Sequence, residues 1–105
     1  MSAKKIAELN DAHRKSGRFV ATEGVRALSF DDQVNLYNLV RDFNTFNKGN
    51  DPHKEHDFGK VTLSGENYFW KIDYYDKTDS DYGSEDPSNA DVTKRIMTIM
   101  RADEY

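Results

Sequence analysis

Asp51, His53, Glu55, His56 and Asp57 crowd five side chains able to hold a metal into seven positions. Imidazole and carboxylate together suit zinc, manganese or iron. The spacing matches no familiar closed shell, and two histidines three apart in a loop need further ligands to complete one. The same acids serve equally well as turn-capping side chains. A second combination adds Lys71 and Asp73, which share one face of an expected strand, to His56 and Asp57. Brought together, these four make a general acid–base or metal-dependent hydrolase or nuclease site. Kept apart, Lys71 and Asp73 form a same-face ion pair on a sheet. No phosphate-cradling loop, nucleophile elbow or dinucleotide fingerprint occurs. The chain has no cysteine, so thiolate metal sites, disulfides and a cysteine nucleophile are excluded. No cofactor is expected.

The stretch YYDKTDSDYGSED, residues 74–86, is the other candidate. It fails as a calcium loop. With Gly83 at the sixth position, Thr78, Ser80 and Tyr82 fall where acids are needed, and a frame starting at Asp79 ends on Ala90. It reads better as a surface for a partner. Asp73, Asp76, Asp79, Asp81, Glu85, Asp86 and Asp91 are opposed only by Lys77 across nineteen positions. Such a field steers a basic partner, and Tyr74, Tyr75 and Tyr82 add the amphipathic area that interfaces favour. The expected partner-binding set is Asp73, Tyr75, Asp76, Asp79, Asp81, Tyr82, Glu85 and Asp86. A solvated acidic loop without a partner is the competing reading.

Positioning these groups requires elements, and the sequence marks most of them. Residues 3–15 read as a helix with Ile6, Leu9 and His13 on one side, closed by Gly17. Arg18–Thr22 reads as a short strand and Glu23-Gly24 as a turn. Ser29 begins a capping pattern, and Leu36, Leu39, Val40 and Phe43 follow at i, i+3, i+4 and i+7, a core-facing helix that Phe46 extends. Residues 47–56 carry loop signals. Phe58–Leu63 and Asn67–Tyr75, linked through Ser64-Gly65, predict an antiparallel hairpin. Its second strand turns Tyr68, Trp70, Ile72 and Tyr74 one way and Phe69, Lys71, Asp73 and Tyr75 the other. Val92–Met100 suits a helix by spacing and a strand by its β-branched residues. The strand is preferred because a lone hairpin needs a third member. The expected fold class is α+β: a small antiparallel sheet of three to four strands with two helices packed on one face, in a single domain spanning 1–105.

The net charge of −4 hides an asymmetry, with six bases against three acids in residues 1–28 and eight against thirteen in residues 48–105. The one basic cluster, Arg14, Lys15 and Arg18, is thin beside the stripe that nucleic-acid binding needs, so direct nucleic-acid binding is not expected. No apolar run approaches a membrane span and the N-terminus has no secretory core. A cytoplasmic protein without membrane association is therefore expected.

Several phrases together carry a resemblance: KIAELNDAHR, NDPHKEHDFG, YFWKIDYYD, YGSEDP and TKRIMTIMRADEY. With them the chain resembles a family of small bacterial domains of unknown function, common in proteobacteria and often carried on plasmids and other mobile elements. The pattern there has an aromatic where this chain has His53, whereas His56 and Asp57 match it. The resemblance supplies no activity and no catalytic residue. Its setting implies the kind of small acidic protein that inhibits host defence, in the manner of anti-CRISPR or anti-restriction proteins. The expected function is thus a non-enzymatic binding protein that sets carboxylates, in place of DNA phosphates, against the basic groove of a protein such as a CRISPR effector subunit. The alternative is the hydrolase or nuclease centred on His56, Asp57, Lys71 and Asp73. A third reading is a regulatory module of a toxin–antitoxin or plasmid-maintenance system.

Overall fold

The computed structural model describes residues 2–105. Helix α1 (Ala3–Arg14) starts where the Ser2 hydroxyl accepts the Lys5 N–H, and Gly17 leaves it with a φ of 82°, the left-handed exit that glycine allows most cheaply. Strand β1 (Val20–Ala21) is followed by the short helix α2 (Glu23–Arg26) and then by α3 (Phe30–Arg41). Ser29 caps α3 by accepting the Asp32 N–H at 3.1 Å, which satisfies one of the donors a helix start leaves free. The sheet is completed by β2 (Phe58–Leu63), β3 (Glu66–Asp76) and β4 (Thr93–Arg101), and Ala102–Glu104 forms a last 3-10 turn.

The strand order is β1-β4-β3-β2. The hairpin β2–β3 turns through Ser64 at φ 51° and Gly65 at φ 81°, the pair of positive angles that a tight two-residue link demands. β3 and β4 pair antiparallel over their whole length, Tyr68 with Arg101 through Asp76 with Thr93. The strand expected at 92–100 is therefore a strand. One expectation is corrected: β1 runs parallel to β4, Val20 beside Thr98 and Ala21 beside Ile99, so the sheet is mixed. A two-residue pairing between segments this far apart in sequence leaves no local periodicity to detect. Glu23-Gly24 likewise opens α2 instead of forming a free turn, because the Arg26 and Ala27 N–H groups close onto the Thr22 and Glu23 carbonyls.

Both long helices lie on the face bearing Tyr68, Trp70, Ile72 and Tyr74. There Val25, Leu36, Val40, Val61, Met97 and Ile99 close the core around Trp70. Leu39 was expected in that stripe but is exposed. The line of burial runs through Leu36 and Val40 and on to Phe43, and Leu39 sits at its rim. The first helix is turned too. Its buried line is Ile6, Ala7, Asn10 and Arg14, and Leu9 and His13 lie half-buried beside it. Arg14, named from the sequence in the one basic cluster, is 3% exposed. Burying an amide and a guanidinium costs several kcal/mol unless both are paired, so their partners explain the rotation. No helix among the described residues is long and apolar enough to cross a membrane.

Candidate functional site

Asn10 is fully buried and uses three bonds. Its amide donates to the Glu55 carbonyl at 3.0 Å and to the Tyr74 hydroxyl at 2.7 Å, and its oxygen accepts Arg95 Nε at 2.7 Å. The Tyr74 hydroxyl in turn donates to the Glu55 carboxylate at 2.9 Å. Burial, the largest influence, and the bond to Glu55 push the Tyr74 phenol well above its usual range, so it stays a donor. The Arg95 guanidinium lies over the Tyr74 ring at 5.3 Å and donates to the Pro87 carbonyl. One helix residue thus joins α1, the loop before β2, both central strands and the loop before β4.

A turn further along α1, Arg14 donates to Asp11 at 3.0 Å and to the Phe43 carbonyl at 3.2 Å, and its guanidinium rests on the Trp70 and Phe46 rings. Asp11 also accepts from His56 Nδ1 at 3.0 Å. The His56 ring is stacked flat on Phe46, centroids 3.8 Å apart. Asp51, buried, accepts the Glu55 and His56 N–H groups at 3.0 and 3.1 Å. That cap holds a tight turn in which Lys54 and His56 both take positive φ, an arrangement non-glycine residues adopt only when surroundings impose it.

Three of the five metal-capable side chains of 51–57 are committed to contacts within the fold, and the Asp51 carboxylate also lies 3.7 Å from His56 Nε2. Asp51 caps the turn, Glu55 accepts the hydrogen bond of the Tyr74 hydroxyl, and His56 stacks on Phe46 and pairs with Asp11. No grouping of three or more histidine, aspartate or glutamate side chains around a common point occurs among the described residues. Nor does the fold gather His56, Asp57, Lys71 and Asp73. His56 lies on the helix side with Phe46, whereas Lys71 and Asp73 pair at 3.0 Å on the opposite face of β3. That face also carries the packed rings of Phe58, Phe69 and Tyr105.

Asp57 is half-buried, and its carboxyl is raised above the ordinary range, first by burial and then by the neighbouring charge of Glu55. A carboxyl raised in the fold favours folding fully below its unfolded value of about 3.9, and that contribution is lost as pH rises through the folded value. Asp57→Asn should therefore leave the urea midpoint at neutral pH unchanged or higher, with the difference fading toward about pH 3. A marked loss of stability at neutral pH would show that the carboxylate makes a contact worth more than its burial costs.

The acidic segment beyond β3 is not a slack loop. Asp76 N–H donates to the Tyr82 carbonyl at 2.8 Å, Ser84 N–H to Tyr74 at 3.2 Å, and Tyr75 bridges Gly83. Thr93 Oγ1 donates to the Asp86 carbonyl at 2.8 Å, next to the Arg95–Pro87 contact. The carboxylates order their own turns. Asp76 accepts from Thr78 N–H at 2.9 Å, Thr78 hydroxyl at 2.7 Å and Asp79 N–H at 3.1 Å. Asp79 accepts Asp81 N–H, and Asp86 accepts Ser88 N–H and its hydroxyl. Hydrogen bonds from Thr78 and from Ser88 hold the Asp76 and Asp86 carboxyls below the ordinary range, so both are ionised at neutral pH. Asp79, Asp81 and Glu85 are exposed, and Tyr82 stands 68% exposed at the turn. Asp73 remains on the open sheet face with Lys71, and Tyr75 follows it on the same face, while Tyr74 points into the network below. Phe46 was read as part of the core stripe and packs against the core, while the residues that sequence reasoning did not place here are Asn10, Asp11, Arg14 and Arg95. Only the polar pair Asn10 and Arg14, in line with Ile6 at four-residue spacing, hints at them.

Fold and surface together define a small α+β domain with a sheet covered on one face and an ordered acidic strap at one end. Residues 21–104 match the model of the family described as protein of unknown function (DUF3768), and the chain belongs to that family. Helix α1, which supplies Asn10, Asp11 and Arg14, precedes the matched span. No curated protein and no solved structure gives a significant match.

Proposed function

We propose that this is a non-enzymatic binding protein whose acidic strap, with Asp73, Tyr75, Asp76, Asp79, Asp81, Tyr82, Glu85 and Asp86, meets a basic protein surface of the kind that grips nucleic acid. The class of partner this implies is a host-defence nucleoprotein such as a CRISPR effector subunit, with carboxylates occupying phosphate positions. The observation that carries the reading is the capping of the strap by its own backbone. Charges fixed in place before association lose less entropy on binding than charges on a mobile loop. They also keep the field that steers an oppositely charged partner. Lys71 and Asp73 neutralise each other on the sheet face, so the weight falls on residues 76–86.

The test is capture of partners from a host that carries a defence system, with the wild-type chain and with Asp76, Asp79, Asp81, Glu85 and Asp86 changed to their amides. The amide variant should lose at least about tenfold in capture, and wild-type capture should weaken steeply with added salt. Undiminished, salt-independent capture would overturn the proposal, and so would partners with no basic groove.

A further inference from the structure

Beside the buried line of α1 runs a second stripe, Leu9, Ala12 and His13 at helical spacing, none of it fully buried. Between this stripe, the Arg18-Phe19 segment and β4 lies a groove of about 750 Å³, a volume in the range of small-molecule sites. Thr93, Arg95 and Met97 pair with Asp76, Ile72 and Tyr74 of β3, in the order Asp76, Tyr74, Ile72. Paired residues share a face and strand neighbours alternate. The β4 side chains on the α1 side are therefore these three, and Lys94 and Ile96 turn to the other. Leu9, Ala12 and Phe19 give the groove its apolar part.

No aspartate or glutamate lines the groove, in a chain whose acids outnumber its bases nineteen to fifteen. Three groups able to carry positive charge converge on it instead: His13, Arg18 and Arg95. Their closeness shows in the His13 imidazole, which is lowered from its ordinary range by burial first and then by the charges of Arg18 and Arg95. Lys77 and Lys94 are the other charged groups on the lining. Arg95 is half-buried, and its Nε and Nη2 donate to the neutral oxygens of Asn10 and Pro87. Its Nη1 has no acceptor among the described residues and is not sealed from solvent. Glu55, whose charge Arg95 feels, is engaged by the Tyr74 hydroxyl and does not line the groove. A partly desolvated guanidinium bonded only to neutral oxygens keeps its charge unbalanced and attracts a counter-ion more strongly than one in water.

We propose that this groove is a binding site for a small organic phosphate, held by Arg18, by the free Nη1 of Arg95 and by His13, with the organic body on Leu9, Ala12 and Phe19. His13 takes a proton from solvent as the anion arrives and becomes a third charged donor. A phosphate monoester fits this set better than a carboxylate. It carries about two negative charges at neutral pH and three strong acceptor oxygens, and guanidinium groups match its geometry. The apolar part of the groove favours an ester over the free ion. The site is separate from the acidic strap and opposite to it in sign.

Titration of the full chain with phenyl phosphate, inorganic phosphate and benzoate, followed by NMR, tests the proposal. Phenyl phosphate should bind, with amide shifts concentrated at 9–19 and 93–97. Inorganic phosphate and benzoate should bind at least about tenfold more weakly, one lacking the apolar body and the other the second charge. In the wild-type chain the titration midpoint of the His13 ring should rise by at least about half a unit when phenyl phosphate saturates the site. Arg18 is exposed, so Arg18→Gln should keep the wild-type circular dichroism and urea midpoint while weakening phenyl phosphate at least about tenfold. Lys60→Gln removes an equal charge from an exposed position on β2 and should leave affinity unchanged. The proposal is overturned if phenyl phosphate fails to bind, if either comparison anion binds as tightly, or if the His13 midpoint does not move. Equal weakening by Arg18→Gln and Lys60→Gln would also overturn it, by showing attraction to the net charge and not to a site. The amide variant of the strap should bind phenyl phosphate normally, so failure of this site and failure of the strap are read separately.

Discussion

Asn10→Ala should cost about 3 kcal/mol of stability, read as a lowered urea midpoint with an unchanged slope. The side chain is small, and lost packing alone cannot account for that figure. The cost comes from what it leaves behind. Arg95 Nε, the Glu55 carbonyl and the Tyr74 hydroxyl, on half-buried residues around a fully buried amide, each lose a partner, and an orphaned buried group costs about 1–3 kcal/mol, more when charged. Asn10→Asp is the informative companion. It keeps an acceptor for Arg95 but loses both donations and brings a second carboxylate toward Glu55, so it should recover little. Tyr74→Phe should cost less than Asn10→Ala, and the double variant less than their sum, because the two side chains share one bond of 2.7 Å. Residues in one network couple by about 0.5–3 kcal/mol. A loss below about 1 kcal/mol for Asn10→Ala, or strict additivity with Tyr74→Phe, would show that water enters and replaces the amide. Arg95 also ties down the Pro87 carbonyl. The same substitution should therefore speed amide exchange in the acidic strap before it unfolds the domain.

That dependence explains which parts of the molecule were legible in the sequence. The hairpin, the capped helix and the alternation of β3 are local patterns, and each was readable because neighbours in sequence are neighbours in space. Ser64-Gly65 could only be a tight turn, and Tyr68, Trp70 and Ile72 could only share a face. The parallel partner of β4 and the rotation of α1 were not readable. Both are decided by residues far along the chain: Thr98 and Ile99 for β1, and Glu55, Tyr74 and Arg95 for Asn10. Asn10 drew no reading of its own, because its partners stand 45, 64 and 85 positions away. His56 misled in the opposite sense. A histidine among acids suggests a ligand set, yet it is Phe46 beneath the ring and Asp11 from another element that fix its place. The acidic strap lies between these cases. Its charge was evident, whereas its order comes from Asp76, Asp79 and Asp86 capping their own turns, a pairing of short side chains with backbone two or three residues on.

The second large effect is expected at the centre of the core. Trp70→Ala should destabilise by about 4 kcal/mol, and the measurement must be circular dichroism because Trp70 is the only tryptophan. The indole is fully buried, edge-on to Phe43 at 5.5 Å and to Phe46 at 6.3 Å, with the Arg14 guanidinium 5.2 Å above it. Gly59 sits on its remaining side, where even a methyl group would collide with the indole nitrogen. Removing the ring therefore opens a cavity and also takes away the surface on which a buried cation rests. Arg14 would keep Asp11 and the Phe43 carbonyl but lose a cation–aromatic contact worth about 0.5–2 kcal/mol. Trp70→Phe separates the two contributions. It retains a ring under Arg14 and should recover at least half of the loss, whereas Trp70→Leu, similar in apolar character but without a ring, should recover less. Equal recovery by leucine and phenylalanine would mean that volume alone matters and that the guanidinium draws its stability from its hydrogen bonds. The consequence reaches the surface through His56, which stacks on the Phe46 ring that Trp70 supports. The 51–57 turn should lose amide protection in Trp70→Ala together with α1, in one step, if the tryptophan holds both.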